Sequence, residues 1–559
     1  MRSNSLLLTS AAIFTLIGCG GSKGGTEAAG SVSKENVKAA SLTAPSPLDT
    51  KFTLKDGEPL DITGLLSLMP EDSRPSYESV DFDASLGATV ISNLKFVDPA
   101  DGEEISIERI ELFGVDTDAM ERVNTTEDAG VDAPFETIFQ KVRMFGIAPE
   151  GESDGSDLSI GAIEFDRLRI RQGGIDNDAD NPAFLFNAFE LGGLYIKDLV
   201  VDAESLEAEG AANAIKFEVP DFRIVEVGGG KLGALIMNDL EYGLDQSDET
   251  IASLTGLLGE QGALIMNSPL RNFLAPGSQR GSMKSFVWRG LDLSGLLEYG
   301  LKGERPPYSA KNLVQLGSFE AKETEAYING ELAYKNDVSS MTSTESTWVI
   351  PTKLRSSSKG DVYNFAAYVP EEEEAIRKII SDNGLDKVTA SSDFAWDWDS
   401  EKGSAALSSN IDTDGFANFS MGFDLDGFEI EKIATALDAG DENAVAALGV
   451  FNNFSIKLED EKLLDVIFDI AGLQMGASGA DLRQSAPAMV RLSGIQVAQL
   501  NPRIPDYVDA FASFLEEGGS IEISADPSSP VPLADLAATG ETSPQSLPDV
   551  INLAVTHKK

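Results

Sequence analysis

Few residues in this 559-residue chain are placed to do chemistry, and histidine is the scarcest: His557, in what reads as a mobile C-terminal tail, is the only one. A single imidazole there removes most histidine-dependent catalysis and most zinc or copper sites. Two strings have a catalytic form. GGSKG at Gly20–Gly24 fits G-x-S-x-G, but a nucleophile elbow needs a strand before the serine, a helix after it and a histidine base. GGGKLG at Gly228–Gly233 fits G-x-G-x-x-G and follows the strand-like FRIVEV. A phosphate cradle there requires a helix next, whereas ALIMNDLEYGL reads as strand, so a glycine-rich hairpin is expected. The strongest metal candidate is DNDADNP, with Asp176, Asp178 and Asp180 at alternate positions. Alternating carboxylates can converge on a hard cation such as calcium, which takes six to eight oxygens. The EF-hand form fails, with Asn181 in place of its glycine and Asn187 in place of its glutamate, and an acidic surface turn is the competing reading. DTDG at Asp412–Gly415 reads as a hairpin turn.

Cys19 is the only cysteine, so no intramolecular disulfide can form and stability must come from a core. It follows a short cationic start at Arg2 and an apolar run from Leu6 to Ile17, broken only by Thr9, Ser10 and Thr15. That run has the length of a signal-peptide core and is too short to span a bilayer, which takes ~20 apolar residues. Leu16-Ile17-Gly18-Cys19 resembles the lipobox of bacterial lipoproteins. The resemblance implies cleavage before Cys19, a lipid on its sulfur and a membrane anchor. Gly20 stands where an inner-membrane retention aspartate would be, so the implied destination is the outer membrane, with the body in the periplasm and the cell surface as the alternative. The rival reading is an ordinary signal peptide with an incidental cysteine. Residues 19–50 are rich in Gly, Ser, Ala and Thr and read as a flexible tether, with the folded part starting near Lys51.

Asp and Glu number 92 against 43 Lys and Arg, a net charge of −49. Such a field repels phosphate backbones, which excludes nucleic acid as a partner, and it repels anionic head groups. Contact with lipid beyond the anchor therefore has to go through an apolar surface. Hydrophobic residues are 42% of the chain, enough for a core.

The elements that would position these groups alternate between strand and helix. EISIERIELFGV carries Ile105 and Ile107, then Ile110 and Leu112, a one-residue slip that suggests a bulge. DLSIGAIEFDRLRIRQ slips twice, after Ile160 and after Phe165. SFEAKETEAYINGELAYK and the row Phe419, Met421, Phe423, Leu425 also read as half-wet strands. Phe394, Trp396 and Trp398 share a strand face, read as core rather than as a stacking platform. Helices are expected over DAPFETIFQKVRMFG (Phe135, Ile138, Val142 and Met144 on one face), PEEEEAIRKIISDNG and IPDYVDAFASFLEEGG. GALIMN occurs twice, at 233–238 and 262–267. The class is α+β: antiparallel meanders with interspersed amphipathic helices in an elongated, repeat-like body. Its proposed parts are a β-rich body over 51–385 and a meander with helices over 386–559.

YESVDFDASLGATVISNLKFVDPADGEEISIERIELFGVD (Tyr77–Asp116) and the WDWDSEKG meander (Trp396–Gly403) resemble repeat-built envelope proteins of the AsmA type. The segment FLEEGGSIEISADPSSPVPL is similar to uncharacterised periplasmic proteins of alphaproteobacteria. The AsmA likeness implies a lipidic ligand and a part in lipid movement, although that group is anchored by a helix and no residue maps across. Two readings follow: a non-enzymatic binder or carrier of a hydrophobic ligand, or a scaffold for an unknown envelope protein, with calcium as its candidate stabiliser. They differ in whether an apolar strand face is left uncovered.

Overall fold

The computed structural model describes residues 45–67, 74–97, 104–125, 132–150, 156–173, 182–203, 214–245 and 278–559. The chain is 27% helical and 50% strand, dominated by one antiparallel sheet. Its first half runs β1 (Ser79–Asp83), β2 (Ala88–Val97), β3 (Glu104–Phe113), β4 (Phe135–Glu150), β5 (Ser156–Arg171), β6 (Phe189–Ala203), β7 (Ala214–Gly228), β8 (Lys231–Asp245) and β9 (Ser278–Asp292). It continues through β10 (Gly317–Ile328), β11 (Glu331–Thr347), β12 (Ile350–Tyr363), β13 (Val388–Asp399), β14 (Ser404–Thr413), β15 (Ala417–Asp426) and β16 (Val450–Asp460). β17 (Gly519–Ala525), β18 (Val531–Pro532) and β19 (Leu553–Lys558) complete it. From β1 to β17 each strand pairs with the next, and the order changes only at the end, where β18 joins β16 and β19 joins β17. The ladder crosses residue 385 unbroken, since β12 pairs with β13 from Tyr363↔Val388 to Lys353↔Asp397.

The helices are α1 (Ile62–Ser67), α2 (Thr117–Thr125), α3 (Pro182–Ala188), α4 (Ser294–Lys302), α5 (Glu374–Asp382) and α6 (Ile430–Asp438). They continue as α7 (Glu442–Leu448), α8 (Leu463–Met475), α9 (Gly479–Val497), α10 (Ile504–Glu517), α11 (Leu533–Thr542) and α12 (Leu547–Val550). Two of the three expected helices are present. α5 buries Ile376 and Ile380, and α10 buries Ala512 and Phe514 before stopping at Gly518, whose φ is +71°. The third expectation is overturned: Phe135, Ile138, Val142 and Met144 lie on strand β4, not on a helix. His557 is corrected too. It sits in β19, its Nε2 2.8 Å from the Gly518 carbonyl oxygen, and Val555 two residues before it packs on the core under α8 and α10.

The apolar slips have a different cause from the bulge expected. Ser92↔Arg109 and Leu94↔Ile107 keep one register on either side of Asn93 and Glu108, so no residue is inserted. Instead Asn93 takes a left-handed conformation, φ +49°. The same occurs on every second strand, at Gly146, Asp198, Asp239, Glu323 and Gly360. Each faces a residue outside the ladder (Glu108, Gly161, Pro220, Lys284, Asp337), so the positions form one row across the sheet from β2 to β12. A second row lies six positions away on each of β5 to β9, its left-handed residues Arg167, Glu226 and Gly290 on the strands the first row skips. Side chains normally alternate faces along a strand. The bend row breaks that alternation both on the strand holding the left-handed residue and on the strand facing it, so apolar neighbours three apart share a face: Met237 with Leu240 around Asp239, Ile107 with Ile110 around Glu108, Met283 with Phe286 around Lys284.

The two faces of the middle strands differ in chemistry. One is apolar, with Ile91, Leu94, Ile107 and Ile110 clustered under Leu60 and Leu66 from the α1 region. The other carries a row that runs directly across β4 to β9: Arg143, Glu164, Tyr195, Arg223, Ile236, Val287. All six are buried. Segment 45–57 lies against this face. Arg143 donates to the carbonyls of Thr50 (2.9 Å) and Pro47 (3.1 Å), Lys197 pairs with Asp49, and Phe52 meets Phe113 edge-on at 5.0 Å. Among the described residues Ser46, a few positions ahead of Lys51, is already buried.

Buried tyrosines set an alkaline limit. The Tyr195 hydroxyl is pushed far above its ordinary 10.0 by burial first, then by the charges of Asp166 and Glu164. Tyr334 is raised likewise by burial and by Asp361, whose Oδ1 accepts its O–H at 2.8 Å. The fold holds these protons more tightly than the unfolded chain does. Their contribution is thus complete below pH 10 and is lost as pH rises beyond it. Thermal melts are expected to show no tyrosine-dependent change up to about pH 10 and to fall steeply above it, and Tyr195→Phe should soften that fall. A melting temperature level to pH 12 would contradict the assignment.

Candidate functional site

Cys19, Ser22, the aspartates Asp176, Asp178 and Asp180, and the second GALIMN copy lie outside the described residues. Among the described residues no group of three or more His, Cys, Asp or Glu side chains is gathered to hold a metal. GGGKLG is the turn from β7 to β8, with Gly229 and Gly230 at φ +57° and +78°, and a strand follows it rather than a phosphate-binding helix. DTDG likewise spans the turn between β14 and β15.

Of the row Phe394, Trp396 and Trp398, the two tryptophans pack in the core, while Phe394 is half-buried. Trp398 is buried with Ala405 and Ile430, and its indole N–H donates to the Phe428 carbonyl at 3.0 Å. Trp396 packs beside it and donates to Pro351 at 2.9 Å. Burying an indole with its one donor satisfied is how a tryptophan stabilises a sheet without serving as a platform.

A hollow of about 570 Å³ beside α5 is lined by Glu331, Asn364, Arg377, Lys378, Asp382 and Asp386. Its central cation is fully used: Arg377 donates to both Glu331 oxygens at 2.7 Å and to the carbonyls of Ala366 and Val369. That clamp ties α5 to β11 and leaves no group aimed at a ligand.

The feature that stands apart is the apolar face of β6–β10. Val219, Met237, Leu240, Met283, Phe286 and Ala321 form its buried floor, and Leu199, Phe217, Phe222, Leu235, Trp288 and Phe319 stand half-buried on it. Every one of these comes from a strand, and among the described residues no helix joins the cluster. The contrast with its neighbours is direct: α2 covers the cluster on β4 and β5, and α8 and α10 cover the one on β16, β17 and β19. Phe286 stacks on Phe319 at 6.3 Å, and the Trp288 indole is fixed by a 2.6 Å bond to the Leu316 carbonyl. The bend row crosses the cluster, with Asp239 paired to Lys284 between Met237 and Leu240 on β8 and between Met283 and Phe286 on β9, and Asp245 pairs with Arg280 at the strand ends. Among the described residues no metal-ligand group is gathered on this face. The sequence carries this face only as strand-like alternation, with nothing to say that no helix would join it.

A family described only as "Uncharacterized protein" matches residues 410–558, from the end of β14 through β19. That stretch contains α6 to α12 and stops short of the β6–β10 face. No curated protein matches the chain.

Proposed function

We propose that this chain is an envelope lipoprotein, anchored in the outer membrane through a lipid on Cys19, whose periplasmic body binds a hydrophobic or lipidic ligand without catalysis. Its role is then to carry that ligand or to maintain the envelope, and the elongated series of hairpins supplies the binding surface. The observation that carries the reading is the apolar face of β6–β10, built from five neighbouring strands and joined by none of the described helices. The net charge of −49 agrees with it, since an anionic head group would be held off the body while its chain lies on the sheet.

The second reading, a scaffold for an envelope protein in the periplasm or at the cell surface, draws on the opposite face. There segment 45–57 covers the row around Arg143 and Tyr195, as a body with both faces closed would require. Calcium at Asp176, Asp178 and Asp180 belongs to that reading.

Native mass spectrometry with lipid extraction, on residues 20–559, separates the two. Phospholipid or fatty acid is expected to copurify near one to one, and the double variant Phe222→Asp, Phe319→Asp should lose about tenfold or more of it, because a buried carboxylate repels an acyl chain. A clean apo mass that persists after incubation with envelope lipids would leave the scaffold reading.

A further inference from the structure

The helices after β16 carry a second apolar surface, on the far side of the layer from their own core. α8, α9 and α10 pack onto β16, β17 and β19 through Leu464, Phe468, Leu482 and Phe514. Their outer side exposes Met475 (70%), Met489 (57%), Leu492 (62%), Ile495 (69%), Leu500 (60%) and Phe511. Scattered exposed leucines are ordinary, but five large apolar groups on adjoining helices, with Leu500 in the turn after α9, are a patch. On α9 Met489, Leu492 and Ile495 recur at a spacing of three, one helical stripe.

The charge pattern says what the patch meets. Between Gln484 and Pro502 the only charged residue is Arg491, and it reaches across to Asp509 (2.9 Å) and Glu516 (3.1 Å) on α10. In a chain of net charge −49, this stretch is neutral and greasy. A second copy would bring another body of net charge −49 against the first. A zwitterionic head-group layer brings no such repulsion. No single described helix is long and apolar enough to cross a membrane, yet Leu463–Met475 and Gly479–Ile495 together have the length and composition of one span, bent by 100°. A bent apolar pair cannot cross as a rod, but one arm can lie in the interface with its apolar side down.

We infer that α9, with the end of α8 and Leu500, is a docking surface for a zwitterionic lipid bilayer. Met475, Met489, Leu492 and Ile495 enter the boundary between head groups and acyl chains, and Arg491 stays paired to α10 above it. This contact is separate from the β6–β10 face and does not need a lipid on Cys19.

The test uses the full chain carrying Cys19→Ser, so that one new cysteine can be labelled with an environment-sensitive fluorophore. Label goes at Leu492→Cys or, as the control away from the patch, at Glu401→Cys on the exposed β13–β14 turn. With phosphatidylcholine vesicles, the probe at 492 is expected to shift to the blue and its iodide quenching to fall by about threefold or more, as for a side chain buried below the head groups. The probe at 401 should keep its aqueous emission, whatever the N-terminal segment does. Equal quenching at 492 with and without vesicles overturns the inference. A blue shift without vesicles that grows with protein concentration also overturns it, in favour of a second copy. Either failure leaves the β6–β10 reading standing, because lipid extraction reads a different face.

Discussion

Replacing Glu164 by alanine is expected to destabilise the sheet by about 3–4 kcal/mol, within the range for breaking a buried ion pair from one side. Glu164 has no exposed surface, and both of its oxygens are taken, one by Lys141 and the other by the Arg143 guanidinium at 2.7 Å. Both cations are themselves buried. Removing the carboxylate strands two positive charges in a medium that solvates them poorly. The loss stays below the top of the range because each keeps another partner. Lys141 has Asp166 at 3.0 Å, and Arg143 has the carbonyls of Pro47 and Thr50. Those carbonyls give the variant a second readout. With Arg143 no longer steered, segment 45–57 should loosen, and trypsin should cut at Lys51 and Lys55 well before the intact sheet. The triple replacement Lys141→Met, Arg143→Met, Glu164→Leu is the decisive control. It removes all three charges together and is expected to cost far less than Glu164→Ala alone, since matched apolar groups leave nothing unpaired. Denaturant midpoints of the three proteins measure this, and a Glu164→Ala cost under about 1 kcal/mol would mean water reaches the site.

How much of this was legible in the sequence depends on the bends. Strand-like alternation is plain wherever a strand runs straight, as in β13 and β15, and those meanders and the turn between β14 and β15 read correctly. Where a left-handed residue interrupts the strand, the apolar spacing becomes two, three, two, three. In β4 the residues read as one helical face are Phe135, Ile138, Val142 and Met144, and the register on β5 shifts between Thr137 and Phe139, so Phe135 and Ile138 stand three apart without a helical turn. A spacing of three imitates one face of a helix, and β4 was therefore expected as helix. In β5 the same rhythm suggested a bulge. The distinction between an inserted residue and a left-handed one lies in the partner strand's register, which a single chain does not display. Functional legibility follows the same line. Individual apolar strands can be read, but the coincidence of five of them on one face, joined by none of the described helices, is a property of the sheet.

The bends also predict which glycines the fold depends on. Gly317 and Gly229 both hold left-handed backbone, φ +70° and +57°. Alanine at either is disfavoured by about 1–2 kcal/mol from that conformation alone. Their surroundings differ completely. A Cβ on Gly317 would sit 1.9 Å from the Arg289 carbonyl oxygen and 2.7 Å from the Gly290 carbonyl carbon, both backbone atoms of β9, whereas one on Gly229 meets nothing within 4 Å. The close contact lies where the second bend row passes from β9 to β10, and no side chain can turn aside to relieve it. The two strands would have to separate, breaking pairs such as Ser318↔Arg289 and Phe319↔Trp288. Gly317→Ala is therefore expected to cost about 3 kcal/mol or more and Gly229→Ala about 1, the difference measuring the close approach rather than the dihedral. Because Phe319 and Trp288 belong to the apolar β6–β10 face, Gly317→Ala should also diminish lipid copurification, while Gly229→Ala leaves it unchanged. Matched denaturation and lipid extraction on the two variants decide it. Equal costs would mean that β9 and β10 accommodate the methyl by sliding, and that the second bend row is soft rather than a fixed edge of the apolar face.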